Sequence, residues 1–232
     1  MMRCAHLVVA ILLAGCASTK VSDETPLVPE VAKPTDILVY DFVGDPAMIP
    51  ADSAAAAKVD RANPPSPEDI QAANEYGAVI AQRLADNIRA MGMPATHATR
   101  GEQPAVGEGL IKGYIVSAES GKAGQRLIVG FGAGKAEMET VVEGYAMTPQ
   151  GLRPLGSGTV RAEGAKTPGL LVPAAVAAAA SPVGLIVVGS VKIYNEASGK
   201  SGLEGRAKAT ADQIAEQLKV RFKERGWITG EG

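Results

Sequence analysis

Few side chains in this sequence could do chemistry, and three glutamates come first among them. Glu137, Glu139 and Glu143 fall on one face of a predicted strand, and paired carboxylates are the groups that hydrolyse glycosidic bonds. Acids that recur along one side of a strand are also typical of a solvated sheet face, and we expect that role here. His97 has no evident nucleophile partner, so we expect it in a loop or at the edge of a strand.

A glycine-rich run at residues 130–135, Gly-Phe-Gly-Ala-Gly-Lys, has some features of a phosphate-binding loop. A Walker loop requires a glycine where Val129 stands and a serine or threonine where Ala136 follows the lysine, and it leads into a helix rather than a strand. A dinucleotide-binding fingerprint also requires a helix at this point. We therefore expect the glycines to serve a tight connection or a bulge.

The N-terminus carries an export signal. Arg3 precedes an apolar run over residues 7–14, which is too short to span a bilayer. The end of this run resembles a bacterial lipobox, formed by Leu13, Ala14, Gly15 and Cys16. In proteins with that motif the chain is cleaved before the cysteine, and the thiol and the new amino terminus are acylated with fatty acids such as palmitate. An ordinary signal peptide that contains a buried cysteine is the alternative.

A lipobox would place the protein in the cell envelope. Several acyl chains together hold a protein to a membrane almost permanently. Ala17 and Ser18 carry no aspartate retention signal, which by analogy with lipoprotein sorting indicates the outer membrane, with the domain facing the periplasm. Residues 1–15 are then the signal peptide, and residues 16–35, which are punctuated by prolines, are the lipidated cysteine and an extended tether.

The composition leaves little room for metal, redox or nucleic-acid chemistry. After cleavage the only cysteine is the lipidated Cys16 and the only histidine is His97. We therefore expect no metal site and no cofactor. The formal net charge of −2 and the aromatic content of 4% argue against a nucleic-acid partner.

Two amphipathic helices are expected to position the rest of the chain. Ser66 can cap a helix that begins with Pro67, and apolar residues then recur every three or four positions as far as Met91. Gly92 follows as a left-handed cap. The second helix is predicted from Leu203 to Arg225, where the next residue is again a glycine.

The strands are expected in a short run at residues 36–43 and in a meander at residues 109–163. Apolar and acidic residues alternate over residues 135–147, which predicts a sheet with one dry and one wet face. An antiparallel sheet packed against the two helices gives an α+β fold, and residues 36–228 form its single domain.

An uncharged segment at residues 168–191 interrupts this pattern. It is rich in Ala, Gly and aliphatic residues, but prolines and glycines weigh against a transmembrane helix. A hairpin that completes the core, a surface for self-association and a membrane-inserted segment all remain open.

The stretch from Gln125 to Gly134 resembles the signature of the DUF4410 family of bacterial lipoproteins. The signature residues are Arg126, Gly130, Phe131, Gly132 and Gly134. The order of lipobox, strand, helix, apolar insert and final helix extends the likeness over residues 35–227. The resemblance implies an envelope lipoprotein without an established activity, and it supplies no catalytic residues.

These observations favour a non-enzymatic binding or assembly module, anchored to the outer membrane and facing the periplasm. Its expected partners are the membrane, through the lipid, and an envelope protein or a second copy of the chain. The alternative is a ring-forming subunit of a secretion or surface-assembly system that uses residues 168–191 for oligomer or membrane contact. An envelope hydrolase would require acids that converge in a cleft.

Overall fold

The computed structural model describes residues 31–119, 126–128, 137–164, 191–195 and 203–229. The signal peptide, the lipobox with Cys16, most of the glycine-rich signature and residues 168–190 of the apolar insert lie outside these residues. Predictions about them therefore stay predictions. The signature residues that lie outside are Gly130, Phe131, Gly132 and Gly134.

The described chain forms seven strands and two long helices. The strands are β1 (Ile37–Tyr40), β2 (Thr96–Ala98), β3 (Gly109–Glu119), β4 (Arg126–Ile128), β5 (Glu137–Thr148), β6 (Gly151–Gly164) and β7 (Val191–Asn195). The helices are α1 (Pro67–Ala90) and α2 (Leu203–Glu224). Two short 3-10 turns, Pro46–Met48 and Ala56–Lys58, lie between β1 and α1.

The seven strands belong to one mixed sheet. Its order is β2-β1-β3-β5-β6-β7, and β4 pairs with β3 outside this path. Strand β5 is antiparallel to its neighbours β3 and β6, whereas β1 is parallel to β2 and β3, and β6 is parallel to β7. The predicted α+β class is confirmed, but the prediction of an antiparallel sheet was wrong. The reason is that α1 connects β1 to β2 as a crossover, which makes those strands parallel.

Helix α1 begins and ends where the sequence predicts. The Ser66 side chain accepts a hydrogen bond from the backbone N–H of Asp69, and Pro67 occupies the first helical turn. Beyond the last turn Gly92 has a φ of 86°, a left-handed conformation that glycine adopts without steric cost. Helix α2 ends in the same way, since Gly226 has a φ of 66°.

Both helices pack on one face of the sheet and form the main core. Ile80, Leu84 and Ile88 of α1 and Ile214, Leu218 and Phe222 of α2 are almost fully buried there. They belong to one cluster with sheet residues Ile115, Met138, Val142 and Leu155. Hydrophobic burial on this face is therefore what holds the helices to the sheet.

Two glycines allow Phe42, just after β1, to pack closely between α1 and the sheet. A Cβ atom on Gly77 of α1 would lie 2.0 Å from the carbonyl oxygen of Phe42, and one on Gly113 of β3 would lie 2.2 Å from the Phe42 ring. Phe42 itself is fully buried. The position of α1 on the sheet thus depends on the missing side chains at these two positions.

On the opposite face of the sheet, β3 and β5 are covered by residues 44–66, which we call the covering loop. Ile49 and Ala55 of this loop form a second buried cluster with Tyr114, Val116 and Val141 of the sheet. The prediction of one wet face was therefore wrong over β3 and β5. The loop is rich in small and polar residues, but its few apolar side chains are enough to exclude water from the strands beneath it.

Residues 31–35, predicted as the end of a tether, pack against the domain. Val31 is buried in the main core, and the backbone N–H of Thr35 donates to the carbonyl of Gly107 at 3.0 Å. The Lys33 ammonium donates to the carbonyl of Trp227 at 2.8 Å. Within the described residues, neither α1 nor α2 combines the length and the apolar character that a transmembrane span requires.

Candidate functional site

Two glutamates of β5 lie beneath the covering loop instead of in solvent. Glu139 is only 9% exposed and Glu143 only 4%. Glu137 begins the same strand. The expectation of a solvated acidic face was therefore wrong for Glu139 and Glu143, because the covering loop lies across the side of β5 on which they stand.

The carboxylate of Glu143 accepts hydrogen bonds at both oxygens. The Ser53 hydroxyl and the Ala54 backbone N–H donate to Oε1 at 2.9 and 2.7 Å. The Tyr145 hydroxyl donates to Oε2 at 2.6 Å. Ser53 is buried as well, and its Oγ accepts the N–H of Ala55 at 3.0 Å. Hydrogen bonds of this kind are what a buried carboxylate requires in place of water.

Two tyrosines beside Glu143 are held in the neutral form. Burial, and then the hydrogen bond to Glu143 and its negative charge, raise the pKa of Tyr145 far above its ordinary value. Burial and the charge of Glu143 raise the pKa of Tyr114 to about 12. Loss of either phenolic proton would place a second negative charge near the carboxylate, so neither tyrosine can serve as a base near neutral pH.

Glu139 is bound by two cations. The Lys58 ammonium lies 2.7 Å from Oε1, and Arg161 Nε of β6 lies 2.8 Å from Oε2. Burial alone would raise the pKa of Glu139, but the hydrogen bonds and charges of Lys58 and Arg161 outweigh it and hold this pKa below the ordinary value. Glu139 is therefore an anion near neutral pH, and it joins the covering loop to β6.

The geometry of the two acids does not fit glycoside hydrolysis. Each carboxylate oxygen already accepts a hydrogen bond from the covering loop or from a neighbouring strand residue. These acids are placed to hold the loop on the sheet.

His97 lies in β2, at one edge of the sheet order, as the sequence predicts for a strand-edge residue. Its Nε2 lies 2.6 Å from Oδ1 of Asp41, and its Nδ1 lies 3.0 Å from Oε1 of Gln82 on α1. Sequence analysis did not find this cluster, because it depends on the parallel register that places Val39 beside His97. Both ring nitrogens have a partner, so neither is available to a substrate in this arrangement.

A groove lies between the C-terminal end of α1, the middle of α2 and the residues that follow α2. Its volume is about 500 Å³, and Met91, Ala215 and Ile228 are among the residues that line it. At its edge the Arg83 guanidinium donates two hydrogen bonds to the Asp212 carboxylate, at 2.6 and 2.9 Å. This ion pair joins the two helices.

The described residues bring no metal-binding cluster together. Within them, no group of three or more His, Cys, Asp or Glu side chains could hold a metal ion. Of the signature residues the structure describes the backbone of Arg126, which begins β4 and pairs with Glu119 at the end of β3.

A family model described as a domain of unknown function, DUF4410, matches residues 37–181, which is more than half of the chain. The match confirms the family that the Gln125–Gly134 stretch resembles, over a shorter range than the likeness in element order. No curated protein and no solved structure matches the chain.

Proposed function

The chain belongs to the DUF4410 family, and we propose that it is a non-enzymatic binding or assembly module of the bacterial envelope. In this proposal Cys16 carries the lipid that holds the protein to the outer membrane, and the domain faces the periplasm. The family description assigns no activity, so the support comes from the residues of this chain.

One observation carries the non-enzymatic part of the proposal. Glu139 and Glu143 are the buried acids of the described domain, and all four of their carboxylate oxygens accept hydrogen bonds from within the protein. A general acid or base must instead reach the proton of a substrate. Carboxylates whose oxygens are all bonded within the protein hold the covering loop on the sheet rather than carry out a reaction.

The surface most suited to a partner is the side of β6 that the helices leave uncovered. Ser157 pairs with Glu143 and Thr159 with Val141, so these two residues stand on the same face as the covered strand residues. Ser157 is nevertheless exposed and Thr159 is only half-buried. The covering loop thus leaves a polar strip of β6 open next to a rigid, hydrogen-bonded part of the sheet.

The N-terminal lipid would set how far this surface can reach. Val31 is buried, so at most 15 Cα–Cα intervals of chain connect Cys16 to the domain. Fully extended, it would span about 50 Å. The domain would then remain close to the inner surface of the outer membrane.

The first test is the anchor. Replacement of Cys16 by Ser, or treatment with globomycin, should leave an uncleaved or unlipidated protein that no longer fractionates with the outer membrane. Unchanged processing and fractionation would refute the proposed location. Labelling with a fatty-acid analogue gives an independent readout of the lipid.

The second test is the partner. A photo-crosslinking residue at Ser157 should give an adduct with another envelope protein in cells, and the same residue at Gln71, on the exposed side of α1, should give none. Adducts of Ser157 only with further copies of this chain would favour the alternative, a ring-forming subunit. Equal adducts at both positions would refute a specific surface on β6.

A further inference from the structure

The N-terminal segment joins the domain at one end, between α2 and the β5–β6 hairpin. Lys33 is bonded to the carbonyl of Trp227, just after α2, and the N–H of Thr35 donates to Gly107. The N–H of Gly107 in turn donates to the carbonyl of Met147 in β5. Met147 is paired with Leu152 at the start of β6. A continuous path of contacts therefore crosses this end, which we call the basal surface.

The basal surface carries two exposed apolar side chains. Val106, next to Gly107, is 62% exposed, and Leu152 is 44% exposed. The contacts through Met147 place them about two strand spacings apart, or roughly 10 Å. Single exposed apolar residues are ordinary on a protein surface. These two are distinguished by their position beside the point at which the N-terminal segment joins the domain.

The basal surface also carries positive charge. Lys33 and Lys223 are exposed, and the Arg225 guanidinium lies 5.6 Å from the centre of the Trp227 ring. Among the nearby acids, Glu224 is paired with Arg221. Two further carboxylates lie at this end, Glu108, which accepts the backbone N–H of Ala105, and Asp36, next to Thr35, so the three cations exceed these acids by one charge. Cations beside exposed apolar groups are the combination that binds to the headgroups of an anionic bilayer.

We propose that the basal surface rests on the anionic phospholipid leaflet to which the chain is anchored. Val106 and Leu152 enter the headgroup region, and Lys33, Lys223 and Arg225 lie against lipid phosphates. This inference rests on the proposed lipid anchor at Cys16, because the anchor keeps the domain at the membrane while weak contacts form. Met48 belongs instead to the covering loop, which packs over the middle of β3 and β5 through Ile49.

The test uses the full mature lipoprotein in vesicles of phosphatidylethanolamine and phosphatidylglycerol. The chain has two cysteines, Cys4 in the signal peptide and Cys16, so a cysteine introduced into the lipidated protein is its only free thiol. Val106→Cys carries an environment-sensitive dye, and Met48→Cys is the matched control, since Met48 is 51% exposed. Dye at position 106 should show a blue-shifted emission and quenching by spin-labelled lipid, whereas dye at position 48 should behave as in water.

The outcomes separate this inference from the anchor. Protein that floats with the vesicles but gives the same emission at both positions would overturn the basal surface and leave the anchor intact. Protein that does not float would refute the anchor and, with it, the inference. A signal at position 106 that is equally strong in phosphatidylcholine vesicles would refute the role assigned to anionic lipid.

A charge variant tests the cations. The substitution Lys223→Gln, which leaves the Lys33 bond to Trp227 in place, should lower the ratio of membrane-seated to free domain, read from the dye at position 106, by roughly fivefold. Lys208→Gln is the control, because Lys208 lies near the start of α2, at the other end, and is paired there with Glu204. Equal effects of the two variants would contradict the proposal.

Discussion

The Ser53 hydroxyl donates a hydrogen bond of 2.9 Å to Oε1 of Glu143, across 90 positions of sequence. Ser53 lies in the covering loop and Glu143 in the middle of β5, and both side chains are excluded from water. The bond joins a loop that has no regular strand or long helix to one of the two central strands of the sheet.

Replacement of Ser53 by Ala should destabilise the domain. The substitution removes one of two donors to Glu143 Oε1 and the acceptor of the Ala55 N–H. We expect a loss of about 1 to 3 kcal/mol in the free energy of unfolding, because the remaining buried groups lose partners. Urea denaturation of the purified domain measures it, and Ser157→Ala, at an exposed serine of β6, should change stability by less than about 0.5 kcal/mol. Equal effects would show that Ser53 does not hold the loop.

Replacement of Glu143 should loosen the covering loop in a graded way. Glu143→Gln keeps one oxygen for Ser53 and the Ala54 N–H, whereas Glu143→Ala removes both oxygens. We expect the backbone amides of Ala54 and Ala55 to exchange with solvent faster in both variants, and fastest in the Ala variant. Hydrogen exchange read by NMR measures it. Unchanged exchange at Ala54 would refute the assigned role of the carboxylate.

The same substitution should change the titration of the tyrosines. The charge of Glu143 contributes to the raised pKa of Tyr114 and, together with a hydrogen bond, to that of Tyr145. Glu143→Gln removes the charge, so both pKa values should move down toward the ordinary value. The tyrosinate absorbance of the folded protein should therefore rise at a lower pH in the variant. A titration that superimposes on that of the wild type would contradict this.

Glu139 should make stability depend on pH in the acid range. Its folded-state pKa is lowered, so the unfolded chain takes up the proton first as the pH falls. The contribution of Glu139 is fully present above the unfolded pKa of about 4.3 and is lost as the pH falls through the lower folded pKa. The difference in free energy of unfolding between wild type and Glu139→Gln should be large near neutral pH and should shrink in acid.

The control for this measurement is Glu75→Gln, at an exposed position of α1. Its effect on stability should be small at every pH, because the surroundings of Glu75 are mostly solvent. A difference between wild type and Glu139→Gln that stays constant from neutral pH into acid would show that the ion pairs with Lys58 and Arg161 contribute nothing.

Gly77→Ala should destabilise the domain although alanine favours helices. In a helix interior the change normally stabilises by about 0.5 to 1 kcal/mol. Here the new Cβ would lie 2.0 Å from the Phe42 carbonyl oxygen, and α1 would have to move off the sheet. We expect a net loss of roughly 1 to 3 kcal/mol, as for other overpacked sites. Thermal unfolding measures it, and a variant as stable as the wild type would show that α1 lies farther from Phe42.

The helices could be predicted because their signals are local. The Ser66 cap, Pro67 and the apolar period that ends before Gly92 all act within a few residues of one another. The strand character of β5 follows in the same way from alternation along the chain. Membership of the DUF4410 family could also be inferred from sequence, through the Gln125–Gly134 stretch.

The fate of the β5 glutamates could not be predicted from their own neighbourhood. The alternation predicted which residues of β5 share a face of the sheet. Whether that face is buried or exposed to solvent depends on which other segment packs against it. The covering loop lies about 80 to 90 positions earlier in the chain, and its contacts with Glu139 and Glu143 span 81 and 90 positions. The His97 and Asp41 contact has the same origin, since it depends on the parallel pairing of β1 and β2.

The amino-acid sequence by itself thus determined the two helices, the strands β1, β3, β5 and β6, which side chains of β5 share a face and the family to which the chain belongs. Only the tertiary structure decided that the sheet is mixed, that Glu139 and Glu143 of β5 are buried and that the N-terminal segment joins the domain between α2 and the β5–β6 hairpin. The physical reason is range. Helix caps and apolar periodicity depend on residues within one or two helical turns of one another. Strand order and burial depend on contacts between distant segments, and the free energy of such a contact cannot be predicted from the sequence of either segment alone.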